Sequence, residues 1–110
     1  MEATTRIDER MLDELVRRIV AAVNPRRIIL FGSAARGQMS PHSDLDVLVV
    51  MPDGTHRRRT AMGLYEALYG LGCPTDIAVV TDDDIRRYGD DPSLVICPAL
   101  EEGRELYRAS

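Results

Sequence analysis

Apolar residues recur every three or four positions near the start of the chain, and that period predicts a helix over residues 5–23. Ile7, Met11, Leu15, Ile19 and Val23 stand four apart, with Leu12 and Val16 beside them and charges between. Asn24-Pro25 stops this helix, because the residue before proline is pushed out of the helical region. The pattern then becomes a short continuous run, Arg27-Ile28-Ile29-Leu30-Phe31, which predicts a buried strand. Ser33 to Arg36 predicts a short helix closed by Gly37, and Gln38 to Ser43 a loop. Leu45 to Met51 is apolar throughout after Asp46 and predicts a central strand. Pro52-Asp53-Gly54 is a turn. Thr55 is the expected cap of a helix over 56–70 whose apolar face is Met62, Tyr65, Leu68, Tyr69 and Leu71. Gly70 to Pro74 breaks that helix, and Thr75 to Val80 predicts a third strand. Thr81 caps a short helix that opens on Asp82-Asp83-Asp84, where the helix dipole favours acidic residues. A last helix is expected from Asp91-Pro92, interrupted by Pro98 and ended by Gly103, before a short edge strand at Glu105-Leu106-Tyr107.

Composition narrows the classes. The 110 residues suit one domain over 1–110, and 45% hydrophobic residues supply an ordinary core. No apolar run reaches the roughly 18 residues a spanning helix needs, and the N-terminus lacks a signal-peptide pattern. The expected location is cytoplasmic, with no membrane partner. Cys73 and Cys97, each followed by Pro, make neither a C-x-x-C site nor a disulfide framework and read as free thiols. The net charge is −4, and all 14 basic residues are Arg. An acidic chain without a basic stripe argues against direct nucleic-acid binding. Arg57-Arg58-Arg59, the one basic run, reads as a solvated helix start or a partner-facing patch.

Chemistry concentrates in three places. Asp44 and Asp46 stand two apart at a strand start, so their side chains share a face. Two carboxylates there repel, and Mg2+, bound through carboxylates and substrate phosphates, would neutralise them; a solvated, capped turn is the other reading. Gly32-Ser33 follows a strand and opens a helix, where backbone N–H groups and the Ser33 hydroxyl could receive phosphate; an ordinary Ser-capped turn is the alternative. Gln38-Met39 replaces the Lys-Ser/Thr of a P-loop, and Ala34 excludes a dinucleotide fingerprint. Asp76, near the start of the third strand, is either a strand-end cap or a third carboxylate. The latter requires its strand to neighbour the one bearing Asp44 and Asp46.

Gly32-Ser33, ten residues, Asp44-x-Asp46 and a later Asp76 resemble the signature of the DNA polymerase β-like nucleotidyltransferase superfamily. The wording L-F-G-S-A-A-R-G, S-D-L-D-V-L-V-V and E-G-R-E-L-Y is similar to its smallest branch, the minimal nucleotidyltransferases. The resemblance spans about Asn24 to Tyr107. It implies an α/β (α+β) nucleotidyltransferase fold, a small mixed sheet flanked by helices. It implies transfer of AMP from ATP with two Mg2+ ions, and a helical HEPN-domain toxin partner that is adenylylated on a tyrosine (AMPylation). By position, Gly32 and Ser33 would bind the triphosphate, Asp44 and Asp46 the metals, and Asp76 would be third ligand and base. Arg36 would lie near the phosphates or serve as a surface salt-bridge residue. Ala34 stands where relatives carry a larger or basic residue, and Pro98 bears on the partner surface. Three functions follow as expectations: a protein adenylyltransferase acting as antitoxin, an antitoxin that works by occlusion with little catalysis, and transfer to a small molecule. The expected partner surface is the Arg57-Arg58-Arg59 helix start with the segment from Leu100 to Tyr107. A homodimer and a hetero-oligomer with the partner are both compatible with the sequence.

Overall fold

The computed structural model describes residues 9–32, 45–91 and 96–109. The predicted helix over Ser33 to Arg36 lies outside them, as do the loop from Gln38, the first residues of the expected α1 and the start of the last helix. The elements are α1 (Glu9–Val23), β1 (Arg27–Phe31), β2 (Leu45–Met51), α2 (Arg57–Ala67), β3 (Thr75–Thr81), α3 (Asp82–Tyr88), α4 (Ile96–Glu102) and β4 (Arg104–Arg108). The strands form one mixed sheet in the order β3-β2-β1-β4. β1 is antiparallel to both β2 and β4, and β2 is parallel to β3. Together they make the mixed α/β fold expected from the sequence.

Strand alternation sorts the core onto the two faces of the sheet. On one, Ile28, Leu30, Leu45, Val47, Val49 and Met51 pack with Leu12, Leu15 and Ile19 of α1 and with Leu64 of α2. On the other, Ile29, Leu48, Val50 and Val80 pack with Ile96 and Ala99 of α4. β2 is buried on both faces over most of its length, as its continuous apolar run requires. A register shift between Ile28 and Ile29 on the β4 edge lets the consecutive Leu106 and Tyr107 both pack against the first core.

α1 stops at Asn24-Pro25, as expected: Asn24 takes a left-handed φ of +52°, a region asparagine tolerates, and carries the chain into the buried Pro25. The cap and the end of α2 differ from expectation. The cap of α2 is His56, whose Nδ1 accepts the Arg59 N–H at 3.1 Å. Thr55 instead donates its hydroxyl to the Pro52 carbonyl at 2.7 Å. α2 ends at Ala67 rather than at residue 70, and Arg18 of α1 donates to the Tyr69 carbonyl at 3.0 Å just beyond it.

The buried face of α2 is also different. Leu64 and Leu68 are buried, Ala61, Ala67 and Leu71 are half-buried, and Met62, Tyr65 and Tyr69 are exposed. The small Ala and branched Leu positions let the helix lie close to the sheet and α1, which a stripe of Met and Tyr would hold off. α3 has the expected cap: Thr81 Oγ1 accepts the Asp84 N–H at 3.2 Å, and Asp84 returns the bond to the Thr81 N–H at 3.0 Å. Pro98 does not interrupt α4, which runs from Ile96 to Glu102. The carbonyl its missing N–H would have met belongs to residue 94, so no bond within that span is lost.

Candidate active site

Because β1 runs against β2 while β3 runs with it, the end of β1 and the starts of β2 and β3 meet at one end of the sheet. Phe31 of β1 is the register partner of Asp46 of β2, and Asp46 is the register partner of Asp76 of β3. Register partners on adjacent strands project to the same face, about 4.8 Å apart along the hydrogen-bonding direction. Asp46 and Asp76 therefore stand side by side on the face that carries Leu48 and Val50 further along. Asp46 is half-buried and Asp76 exposed.

Gly32 closes this end from the β1 side. Its φ is +73°, a left-handed value that a Cβ makes costly. A Cβ added there would run into Asp46 Oδ2. The glycine thus brings bare backbone against the Asp46 carboxylate. The strand starts are held by local bonds: Leu45 N–H donates to the Pro74 carbonyl at 2.9 Å, and Thr75 Oγ1 to the Cys73 carbonyl at 3.2 Å. On the outer edge of β3, the Ile77 N–H donates to the Tyr65 hydroxyl at 3.1 Å. The sequence carries no sign of this contact, because its apolar pattern places Tyr65 on the buried face of α2.

The condition set for Asp76, a strand next to the one bearing Asp46, is met. Ser33, Arg36 and Asp44 lie outside the described residues. Among the described residues no group of three or more His, Cys, Asp or Glu could hold a metal ion, and the described part of the expected triad is the pair Asp46 and Asp76. Two adjacent carboxylates at the strand starts are hard oxygen donors that suit a divalent cation such as Mg2+.

A cavity of about 430 Å³ lies at the opposite end of the sheet, lined by Asp53, Arg57, Thr81, Asp83, Asp84 and Arg87 among others. Its charges already answer one another: Arg57 pairs with Asp84 at 2.8 Å, Arg87 with Asp83 at 2.9 Å and Arg86 with Asp53 at 2.7 Å. The Asp53 carboxyl is held below its ordinary range by the Arg86 guanidinium and the Asp83 N–H. Burial raises Asp84, but the Thr81 N–H and Arg57 outweigh it and leave the group lowered. This cleft is therefore a latch that ties the turn after β2 and the start of α2 to α3, and within it Arg57 stays exposed while paired with Asp84. Cys73 and Cys97 are free of any disulfide, and burial pushes the Cys97 thiol up.

The profile of the nucleotidyltransferase domain matches residues 10–105. The chain belongs to the nucleotidyltransferase domain family. The domain is similar in structure to a Sulfolobus solfataricus protein assigned as a nucleotidyltransferase, with a TM-score of 0.61 and 18% identity, covering 91% of this chain and 82% of that one. It is also similar to a toxin–antitoxin structure with AMP-PNP, with a TM-score of 0.55 and 23% identity, covering 90% and 74%. At these identities the likeness is one of fold. No curated protein matches the sequence. No helix among the described residues is long and apolar enough to cross a membrane.

Proposed function

We propose that this nucleotidyltransferase domain is an adenylyltransferase that moves AMP from ATP to a protein hydroxyl, a tyrosine of a HEPN-type toxin, and so acts as its antitoxin. The observation that carries the reading is the register pairing of Asp46 with Asp76 beside Gly32, in a chain of this family. The fold likeness to a toxin–antitoxin structure with AMP-PNP supports the adenine nucleotide and the partner.

In this reading Gly32 and Ser33 receive the triphosphate at the end of β1, with Arg36 near its oxygens. Asp44, Asp46 and Asp76 would hold Mg2+, which when bound offsets charge on the phosphates and the leaving pyrophosphate. The tyrosine hydroxyl oxygen attacks the α-phosphorus, and the bond from that phosphorus to the bridging oxygen of the β-phosphate breaks. Asp76, exposed on its edge strand, takes the hydroxyl proton. AMP remains on the tyrosine and pyrophosphate leaves.

The test is Asp46→Asn, incubated with α-labelled ATP and the partner beside the wild type. An amide is a poor Mg2+ ligand, so labelling should fall by roughly a hundredfold or more while the circular dichroism spectrum and melting behaviour are kept. Equal labelling by both proteins would show that Asp46 is misassigned.

A further inference from the structure

β3 is an edge strand, held by β2 on one side only. Along a strand, N–H groups alternate between the two sides, so Asp76, Ala78 and Val80 direct theirs to β2 while Ile77, Val79 and Thr81 direct theirs outward. Two of these outward groups are taken by the protein's own side chains. The Thr81 N–H donates to Asp84 at 3.0 Å, as part of the cap of α3. The Ile77 N–H donates to the Tyr65 hydroxyl at 3.1 Å. The first bond secures the end of β3 that leads into a helix. The second secures the end that carries Asp76, one residue before Ile77.

Tyr65 is an unusual choice for that position. It stands at the boundary of the buried face of α2, still 48% exposed, while its neighbours Leu64 and Leu68 fill the core. Its ring adds little to that core. What it supplies is a rigid reach, with two rotatable bonds, from a packed helix to the edge of the sheet. A phenylalanine would pack as well and leave the Ile77 N–H to water.

We propose that Tyr65 is a positioning residue for Asp76: its hydroxyl pins the Ile77 amide and so fixes the start of the edge strand on which Asp76 faces Asp46. The inference rests on the reading of Asp76 as a metal ligand and base. Asp46 needs no such device, since its strand is held between β1 and β3. Asp76 has one neighbouring strand, and a carboxylate on a fraying strand start would wander by more than metal coordination tolerates.

The experiment compares the wild-type chain with Tyr65→Phe, Tyr69→Phe, Asp76→Asn and the double variant Tyr65→Phe/Asp76→Asn. Tyr69 is the control, an 88% exposed tyrosine just beyond the end of α2. Two quantities are read: amide hydrogen exchange at Ile77, and affinity for Mn2+·ATP by water-proton relaxation enhancement. Tyr65→Phe should speed Ile77 exchange by about tenfold, as expected when an edge amide loses its acceptor. It should weaken Mn2+·ATP binding by about tenfold, the low end for a residue that orients a ligand. Tyr69→Phe should do neither, and Tyr65→Phe should add nothing in the Asp76→Asn background. Unchanged Mn2+·ATP affinity in Tyr65→Phe, with Asp76→Asn weakened, would overturn the inference and leave the site intact. Additive losses in the double variant would also overturn it, by showing that Tyr65 acts elsewhere. Wild-type affinity in Asp76→Asn would overturn the assignment of Asp76, and this inference with it.

Discussion

Gly32 sits at φ +73° with no space for a side chain on the Asp46 side. That single residue brings bare backbone up to a carboxylate, a contact that sequence spacing alone does not show. Gly32→Ala should therefore do double harm. The left-handed backbone costs about 1–2 kcal/mol for a residue with a Cβ, and the new methyl pushes Asp46 out of line with Asp76. Thermal denaturation should show a modest loss of stability, and labelling from α-labelled ATP should fall far more than that loss explains. Wild-type labelling by a folded Gly32→Ala protein would mean that Asp46 is not held by this contact. At this scale the sequence was informative about chemistry. Gly32, Asp46 and Asp76 are short, polar or special residues in apolar runs, and such interruptions stand out. Tyr65 did not stand out, because a tyrosine on an amphipathic helix is read as apolar surface until its hydroxyl is seen to meet Ile77.

Among elements, strands were easier to read than helix faces. The runs at Arg27–Phe31 and Leu45–Met51 are continuous and β-branched, and their bounds match the sequence reading. The buried face of α2 is not legible from its large residues, which face solvent while Ala61, Leu64 and Leu68 make the contact. The surface carries a set of arginine–carboxylate pairs, some within α1 and β4 and some that join α1 or β1 to β4. Glu14 of α1 receives Arg17 and Arg18, Glu9 receives Arg104 of β4, and Glu105 receives Arg108 and Arg27. Hydrogen bonds from these guanidiniums hold the three glutamates below their ordinary range, Glu14 down to about 2 from 4.5. A carboxylate lowered in the folded state adds stability that is present above its unfolded value and lost as pH falls through the folded one. Melting temperature should accordingly hold at neutral pH and fall steadily as pH drops from about 4.5 towards 2. These pairs are exposed, so each adds little and salt should shrink the slope. Glu14→Gln should flatten the lower part of that acid limb. An identical limb in that variant would show that Glu14 contributes nothing to acid sensitivity.

For the molecule as a whole, the sheet order β3-β2-β1-β4 together with the β2–β3 register sets Asp76 beside Asp46. Order could be guessed from the family resemblance but not from hydrophobic pattern, since a strand's apolar run is silent about its neighbour. On the proposed function, this domain is a catalyst that marks its partner and departs. An antitoxin of that kind silences more than its own number of toxin molecules and requires ATP. One that works by covering the toxin must remain bound, copy for copy, over an interface on the order of 1,200 Å² or more. The most direct measurement is a titration of the partner's ribonuclease activity with this protein, with and without Mg2+ and ATP, followed by the mass of the partner. The account predicts ATP-dependent silencing below one equivalent and a partner heavier by one or more AMP groups. Silencing that needs a full equivalent, ignores ATP and leaves the partner's mass unchanged would contradict it.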